Sequence, residues 1–165
     1  MEIADKWFAI VNPVAGSGRG LTDWPLISRL LRERHIVPEY VFTERKYHAI
    51  ELAVEAVNNG FRKIMVVGGD GTILHLARTV ALHRVPVLGI NLGSLGFMSE
   101  LELNELDRLR DLKDWNFTVE SRMMLDVSVV RGGRTVYNTI ALNDAVISKG
   151  SIARVVRLNI FTEEG

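Results

Sequence analysis

The segment Gly68-Gly69-Asp70-Gly71-Thr72 has the residue types and spacing best suited to chemistry in this chain. It follows the apolar run Lys63 to Val67 and precedes helical spacing of apolar residues. Glycines let phosphate oxygens approach backbone N–H groups, and the start of a helix adds a favourable dipole. Phosphates would repel a carboxylate, so Asp70 is predicted to accept a proton from an attacking hydroxyl or to hold Mg²⁺. The alternative is an ordinary turn residue that caps the helix.

A second glycine-bearing loop runs from Asn12 to Gly20, and this loop, including Asn12, is a candidate to wrap a second part of the same nucleotide. Its Arg19 is a candidate for a bidentate phosphate contact. The loop is neither a Walker A loop nor a spaced G-x-G-x-x-G fingerprint, so a simple strand-to-helix connection is the alternative. Both glycine segments follow strands that we expect to be parallel. They should therefore meet at the carboxyl edge of one sheet, where open α/β sheets bind ligands.

The elements that must position these loops alternate along the first half of the chain. Short apolar runs predict strands at 7–11, 39–42, 63–67 and 85–90, with helical spacing between them. A helix is expected to begin at Thr22 or Asp23, with Pro25 in its first turn. Two later helices are predicted from apolar positions at helical spacing. One has Ala49, Leu52, Ala53, Ala56 and Val57 on its apolar face. The other follows an Asn104 cap and has Leu106, Leu109 and Leu112 on one side. The pattern predicts an α/β fold, a Rossmann-like three-layer domain around a parallel sheet.

The pattern changes near Trp115. Residues 117–130 and 134–148 alternate around an Arg131-Gly132-Gly133 turn, and residues 155–161 form a third extended segment. Turn glycines and alternation favour antiparallel hairpins. We therefore predict an α/β domain at 1–115 and the start of an incomplete antiparallel β subdomain at 116–165. Its exposed strand edges favour a homo-oligomer.

Charge and composition exclude several classes of function. Lys plus Arg and Asp plus Glu both number 20, so no global positive field exists to hold nucleic acid, and phosphate binding must be local. The absence of Cys excludes a disulfide scaffold and a thiolate zinc site, and it fits a cytoplasmic location. The four His residues show no metal-ligand spacing, and no serine lies in G-x-S-x-G. We expect no signal peptide and no membrane span.

Four blocks in order make the second half of the chain resemble the NAD kinases, in a superfamily that includes the diacylglycerol-type lipid kinases. The first block is the glycine-aspartate segment at 68–72, and the others are Pro86 to Phe97, Arg122 to Leu125 and Ala141 to Ile147. Before Gly68, the loop from Asn12 to Gly20 looks more like the lipid-kinase branch. The sequence is thus interpreted as a mosaic, a chimera or a truncated chain.

The resemblance implies ATP-dependent phosphorylation of NAD to NADP, with small-molecule nucleotides as partners and Mg²⁺ accompanying ATP. Asp70 would accept the proton of the adenosine ribose 2′-hydroxyl, and Gly68, Gly69, Gly71 and Thr72 would form the phosphate-contacting turn. Phe97 corresponds to a position near the NAD adenine, and Asn143 with Asp144 to a pair that binds NAD hydroxyls. Without the resemblance, Phe97 would be interpreted as a core aromatic and the pair as a hairpin turn.

The chain departs from the NAD kinase pattern at its end. The family continues into a second Gly-Asp-Gly turn and a Thr-Pro-x-Gly-Ser-Thr-Ala-Tyr segment, and nothing here matches them. Positioning supplies much of the rate in such reactions, so we expect weak or no catalysis unless another chain completes the site. Two alternatives are a diacylglycerol-type lipid kinase that uses the same aspartate and a non-catalytic engineered or truncated nucleotide-binding scaffold.

Overall fold

The computed structural model describes residues 5–93, 98–112, 117–147 and 159–161. The chain divides into two compact units, Met1–Met123 and Met124–Gly165. The first unit holds both glycine segments, and the second holds a β-hairpin. Each unit is described by itself below.

The first unit is an α/β layer structure around a five-stranded sheet. Its elements are β1 (Trp7–Val11), α1 (Ala15–Glu33), β2 (Glu39–Phe42), α2 (His48–Asn58), β3 (Lys63–Gly68), α3 (Asp70–His83), β4 (Val87–Asn91), β5 (Leu101–Glu102) and a 3₁₀ helix (Leu103–Leu112). The strand order is β2-β1-β3-β4-β5, and every neighbouring pair is parallel. The predicted parallel α/β fold is confirmed.

Two hydrophobic clusters cover the two faces of the sheet, because successive strand side chains point to opposite sides. Phe8 and Ile10 of β1 pack on one face with α2 and α3, whereas Ala9 and Val11 pack on the other with α1 and the 3₁₀ helix. All five predicted core positions of α2 are buried. This two-sided burial explains why the strands are nearly continuous apolar runs.

Helix α1 begins earlier than predicted. Its span includes a left-handed break at Gly16, Ser17 and Gly18, whose φ values are +58°, +61° and +95°. Regular helix follows this break, so Thr22 and Asp23 lie within the helix and do not cap it, and Pro25 lies inside it. The predicted start at Thr22 or Asp23 is wrong because three residues in the left-handed conformation set the start of regular helix.

The helix predicted after Asn104 is a 3₁₀ helix. Its Leu106 and Leu109 are buried, and Leu112 packs at the edge of the same cluster. The spacing of three residues places these side chains on one side of a helix with three residues per turn.

The second unit contains an antiparallel hairpin of β6 (Leu125–Arg131) and β7 (Arg134–Ala141). Gly132 and Gly133 form its turn with φ values of +55° and +74°, a pair of positive φ angles that favours glycine. The expected extended segment at 155–161 lies largely outside the described residues, because 155–158 are not described.

Candidate functional site

Three strand ends meet at the carboxyl edge of the sheet in the first unit. The N–H of Asn12 donates to Val67 O at 2.8 Å, and the N–H of Leu92 donates to Gly68 O at 2.8 Å. From β1 the chain first adds β2 on one side and then β3 on the other. In open α/β sheets, ligands bind where the strand order reverses in this way, between the loops that follow the two adjacent strands, here β1 and β3. Here those loops begin at Asn12 and Gly68.

Asn12 joins the first glycine loop to the start of α3. Its Nδ2 donates to Thr72 Oγ1 at 3.3 Å, and its Oδ1 accepts the N–H of Val14 at 3.2 Å. A Cβ on Gly68 would lie 2.9 Å from Thr72 Oγ1, so a larger residue there would disturb this pairing. Asn12, Gly68 and Thr72, predicted as site residues from separate segments, are brought together.

The loop after β1 is packed tightly against its surroundings. A Cβ on Gly16 would lie 2.0 Å from Leu92 O, and one on Gly20 would lie 1.8 Å from Asn12 O. Both contacts are with backbone atoms that cannot move aside cheaply. Part of the glycine content of this loop is therefore explained by packing.

Arg19 engages a neighbour on its own helix. Its Nε donates to Asp23 Oδ2 at 3.0 Å, and 51% of the side chain is exposed. The pair is four residues apart on the surface of α1, where such ion pairs contribute little to stability. The phosphate contact predicted for Arg19 stays a prediction.

The second glycine segment forms the N-terminus of α3. Gly69 is the N-cap in an extended conformation, and as a glycine it has no side chain with which to cap the helix. A Cβ on Gly69 or Gly71 would have no described atom within 4 Å. The first turn of a helix carries backbone N–H groups without partners inside the helix. These two glycines therefore leave the N-terminal turn of α3 accessible to an anion.

Asp70, the first residue of α3, is contacted from the segment that follows β4. Ser99 Oγ donates to Asp70 Oδ1 at 3.1 Å. Ser99 was not predicted as a site residue, because a serine outside any nucleophile motif carries no signal in the sequence. Its proximity to Asp70 depends on the parallel pairing of β3 with β4, which no local motif reports.

Glu100 anchors the residues around Ser99 to the sheet. Its Oε2 accepts the N–H of Gly89 at 2.7 Å, and its own N–H donates to Gly89 O at 3.2 Å. Burial raises the pKa of the Glu100 carboxyl, and the Gly89 hydrogen bond and the charge of Arg122 offset part of that shift. Arg122 Nη2 lies 3.9 Å from Glu100 Oε1.

His75, one of the four His residues without metal-ligand spacing, lies one turn along α3 from the glycine segment. Its Nδ1 is hydrogen-bonded to Gly71 O, and its ring lies 4.8 Å from that of Tyr47. A carbonyl can only accept, so Nδ1 carries the proton in this arrangement. Tyr47 itself precedes α2 with a φ of +64°.

Phe97 is outside the described residues. Asn143 and Asp144 belong to the second unit, where both are exposed and Asn143 Nδ2 donates to Asp144 Oδ1 at 3.3 Å. Among the described residues of the first unit, Asn12, Gly68 to Thr72 and Ser99 form the cluster around Asp70.

The donor set near Asp70 fits a magnesium ion that arrives with a nucleotide. Within residues 5–93, 98–112, 117–147 and 159–161, no group of three or more His, Cys, Asp or Glu side chains could form a metal site. Mg²⁺ usually needs only one or two carboxylates, with substrate phosphates and water completing its shell. A single carboxylate beside an anion-accessible helix N-terminus meets that requirement.

Across the described part of the chain, no helix is long and apolar enough to cross a membrane.

Solved structures with a similar fold are diacylglycerol kinase proteins. One, "a putative diacylglycerol kinase from Bacillus anthracis str. Sterne", has a TM-score of 0.57 and 21% sequence identity, covering 79% of this chain and 46% of that one. A second structure with the same description also has a TM-score of 0.57, with 17% identity, and covers 84% of this chain and 62% of its own. At this identity the likeness establishes the fold alone.

Curated proteins with similar sequences are NAD kinases. The protein from Azoarcus sp. (strain BH72) is 41% identical over 160 residues, which is 96% of this chain and 50% of the relative. The protein from Desulforamulus reducens is 49% identical over 98 residues, 59% of this chain and 34% of the relative. The chain therefore matches only a third to a half of the length of these relatives.

A family profile described as the ATP-NAD kinase N-terminal domain matches residues 28–112, just over half of the chain. The match begins ahead of Gly68, and the Azoarcus alignment covers 96% of the chain. A junction between two families near Gly68 is therefore not needed to explain the sequence. The chain belongs to the NAD kinase family.

Proposed function

We propose that this chain carries the nucleotide-binding part of an ATP-dependent NAD kinase, which phosphorylates the adenosine ribose 2′-hydroxyl of NAD to give NADP. The observation that carries the proposal is the position of Asp70. It lies in the first turn of α3, between two glycines whose Cβ positions are open, and Ser99 donates to its Oδ1 at 3.1 Å. A carboxylate so placed would lie next to phosphates bound at the same turn.

The residues of the first unit have distinct roles in this proposal. The backbone N–H groups at the start of α3 bind phosphate oxygens, since the helix terminus favours negative charge there. Gly68, Gly69 and Gly71 allow the close approach, and the Asn12–Thr72 hydrogen bond holds the two loops together. Arg19 is proposed as a further phosphate contact. Mg²⁺ bound with ATP would neutralise phosphate charge during transfer.

Asp70 is proposed as the general base of the reaction. Its carboxylate would accept the proton of the ribose 2′-hydroxyl as that oxygen attacks the γ-phosphate of ATP. The negative charge that repels phosphate in the ground state is then useful, because the attacking hydroxyl needs an acceptor within hydrogen-bond reach. A residue that merely capped the helix would accept a hydrogen bond from N–H groups of the first turn. Asp70 is the first residue of α3 and follows the N-cap Gly69, so it does not occupy the N-cap position itself.

The residues that would hold NAD are proposed from the family resemblance. Phe97 would lie near the adenine, and Asn143 with Asp144 would bind NAD hydroxyls. We further propose a nucleotide-binding domain at 1–115 followed by the first part of a β-rich domain at 116–165. The relatives are about two to three times as long as the segment they share with this chain, so residues outside it would complete the enclosure of the substrate.

The test is NADP formation by Asp70→Asn, a change that keeps the shape of the side chain and its acceptor for Ser99. Loss of a general base lowers turnover by about 10²–10⁴-fold. Asp107→Asn, at an exposed position on the 3₁₀ helix, is the matched control and should leave NADP formation unchanged. NADP is measured by enzymatic cycling after incubation with Mg-ATP and NAD, with thermal unfolding to confirm that the variants fold.

Two results would contradict the proposal. Turnover of Asp70→Asn equal to that of the unaltered chain would remove the role assigned to Asp70. Transfer of label from γ-labelled ATP to diacylglycerol, without NADP formation, would assign the same aspartate to a lipid hydroxyl instead.

A further inference from the structure

Residues Met98 to Glu100 are fixed directly against the backbone of β4. Glu100 both accepts from and donates to Gly89, through Oε2 at 2.7 Å and through its N–H at 3.2 Å. A Cβ on Gly89 would lie 3.1 Å from Ser99 Cα and 2.5 Å from Ile73 Cδ1. A side chain at position 89 would force the Ile73 side chain and the backbone of Ser99 to shift. The position of Ser99 is therefore set by the sheet.

The Ser99 hydroxyl connects this fixed segment to Asp70. Oγ donates to Asp70 Oδ1 at 3.1 Å across 29 residues of sequence, and the contact is partly buried. A hydrogen bond to a charged acceptor is stronger than one between neutral groups. Asp70 lies at the first position of α3, where its side chain can adopt more than one staggered rotamer. The bond from Ser99 favours a rotamer that keeps Oδ1 near the segment after β4.

We propose that Ser99 is a positioning residue that acts through Asp70 and holds its carboxylate in one orientation at the anion-binding turn of α3. The inference deepens the proposed function and rests on it for its catalytic consequence. A general base works only when it lies within hydrogen-bond reach of the proton that it takes, so misorientation lowers turnover and leaves nucleotide affinity unchanged. Ser99 itself contacts neither the phosphates nor the reacting hydroxyl in this scheme.

The orientation of Asp70 can be measured without any turnover. In the full chain labelled with carbon-13 and nitrogen-15, three-bond couplings from Asp70 Cγ to its own backbone nitrogen and carbonyl carbon report χ1. We expect values for a single rotamer in the unaltered chain and in Ser99→Thr, which keeps the hydroxyl, and averaged values in Ser99→Ala. Single-rotamer couplings in Ser99→Ala would overturn the inference. Ser128→Ala, which removes a hydroxyl that accepts from Asn138 at 2.8 Å in the hairpin, is the control and should leave the couplings unchanged.

Kinetics then test the consequence for catalysis. For Ser99→Ala, kcat for NADP formation should fall by about 10- to 100-fold, the loss expected for one hydrogen bond to a charged group, with KM for ATP unchanged. Ser99→Thr should restore kcat. If Ser99→Ala keeps the kcat of the unaltered chain, the inference is wrong and the proposed function stands. If the couplings change as expected but Asp70→Asn forms NADP at the rate of the unaltered chain, the orienting role stands and the proposed function fails.

Discussion

Replacement of Gly71 by alanine distinguishes the requirements of the fold at this position from the requirements of nucleotide binding. A Cβ at this position would have no described atom within 4 Å, and Gly71 does not have a positive φ. The protein therefore has room for the methyl group. If phosphate oxygens approach the N–H groups of this turn, the same methyl group occupies space that the ligand requires.

The two expected effects of Gly71→Ala have opposite signs. Alanine in a helix reduces the conformational entropy of the unfolded chain, so the free energy of unfolding should rise by about 0.5–1 kcal/mol. For a chain of this size, that corresponds to an increase in Tm of about 1–4 °C. Displacing one phosphate oxygen from a backbone N–H removes a hydrogen bond to a charged group, about 1.5–3 kcal/mol of binding. The Kd for Mg-ATP should then rise by about 10- to 150-fold.

The assay pairs urea unfolding with calorimetric titration of Mg-ATP on the same preparations. A more stable variant with weaker binding is the expected result. Unchanged affinity for Mg-ATP would refute the assignment of this turn as the phosphate site. A loss of stability would show that the fold itself requires glycine at position 71, contrary to the open space around it.

Two further perturbations test neighbouring features. Gly20→Ala should lower the free energy of unfolding by about 1–3 kcal/mol, because its Cβ would lie 1.8 Å from Asn12 O and the strand-loop backbone must shift; a urea midpoint equal to that of the unaltered chain would contradict this packing. Glu100→Gln should change the pH dependence of Tm. The pKa of Glu100 is raised above its ordinary value of 4.5 in the folded chain, so its stabilising contribution is present below that value and is lost as pH rises through the folded pKa. The Tm of the unaltered chain should therefore fall relative to that of Glu100→Gln above about pH 4.5. Parallel plots of Tm against pH for the two proteins would exclude the effect.

Sequence analysis predicted the sheet and α2 well because burial on both faces leaves a strong pattern. The strands are apolar runs, and the buried positions of α2 follow helical spacing. The start of α1 was missed because it depends on the positive φ values of Gly16 to Gly18 and on the packing of Gly16, where a Cβ would lie 2.0 Å from Leu92 O. Local capping rules contain no information about such contacts.

The candidate site was predicted only in part. Asn12 and Thr72 were expected near one edge because parallel strands bring their carboxyl ends together, and the structure adds the hydrogen bond between them. Ser99 was missed because a serine without a motif carries no signal of its own. Its role depends on Gly89, whose lack of a side chain lets the segment of Ser99 lie against β4. A glycine in the middle of a buried strand was the available indication of a close approach there.

The loop after β1 packs against the ends of β1 and β4 and does not form a flap. Gly16 faces the carbonyl of Leu92 and Gly20 faces that of Asn12, so moving the loop outward would also disturb the exits of β1 and β4. The loop would therefore lose little conformational entropy when an anion binds against it. Anion binding should accordingly cause little structural rearrangement of this loop. Amide exchange of Asn12 and Leu92 should be slow with or without nucleotide.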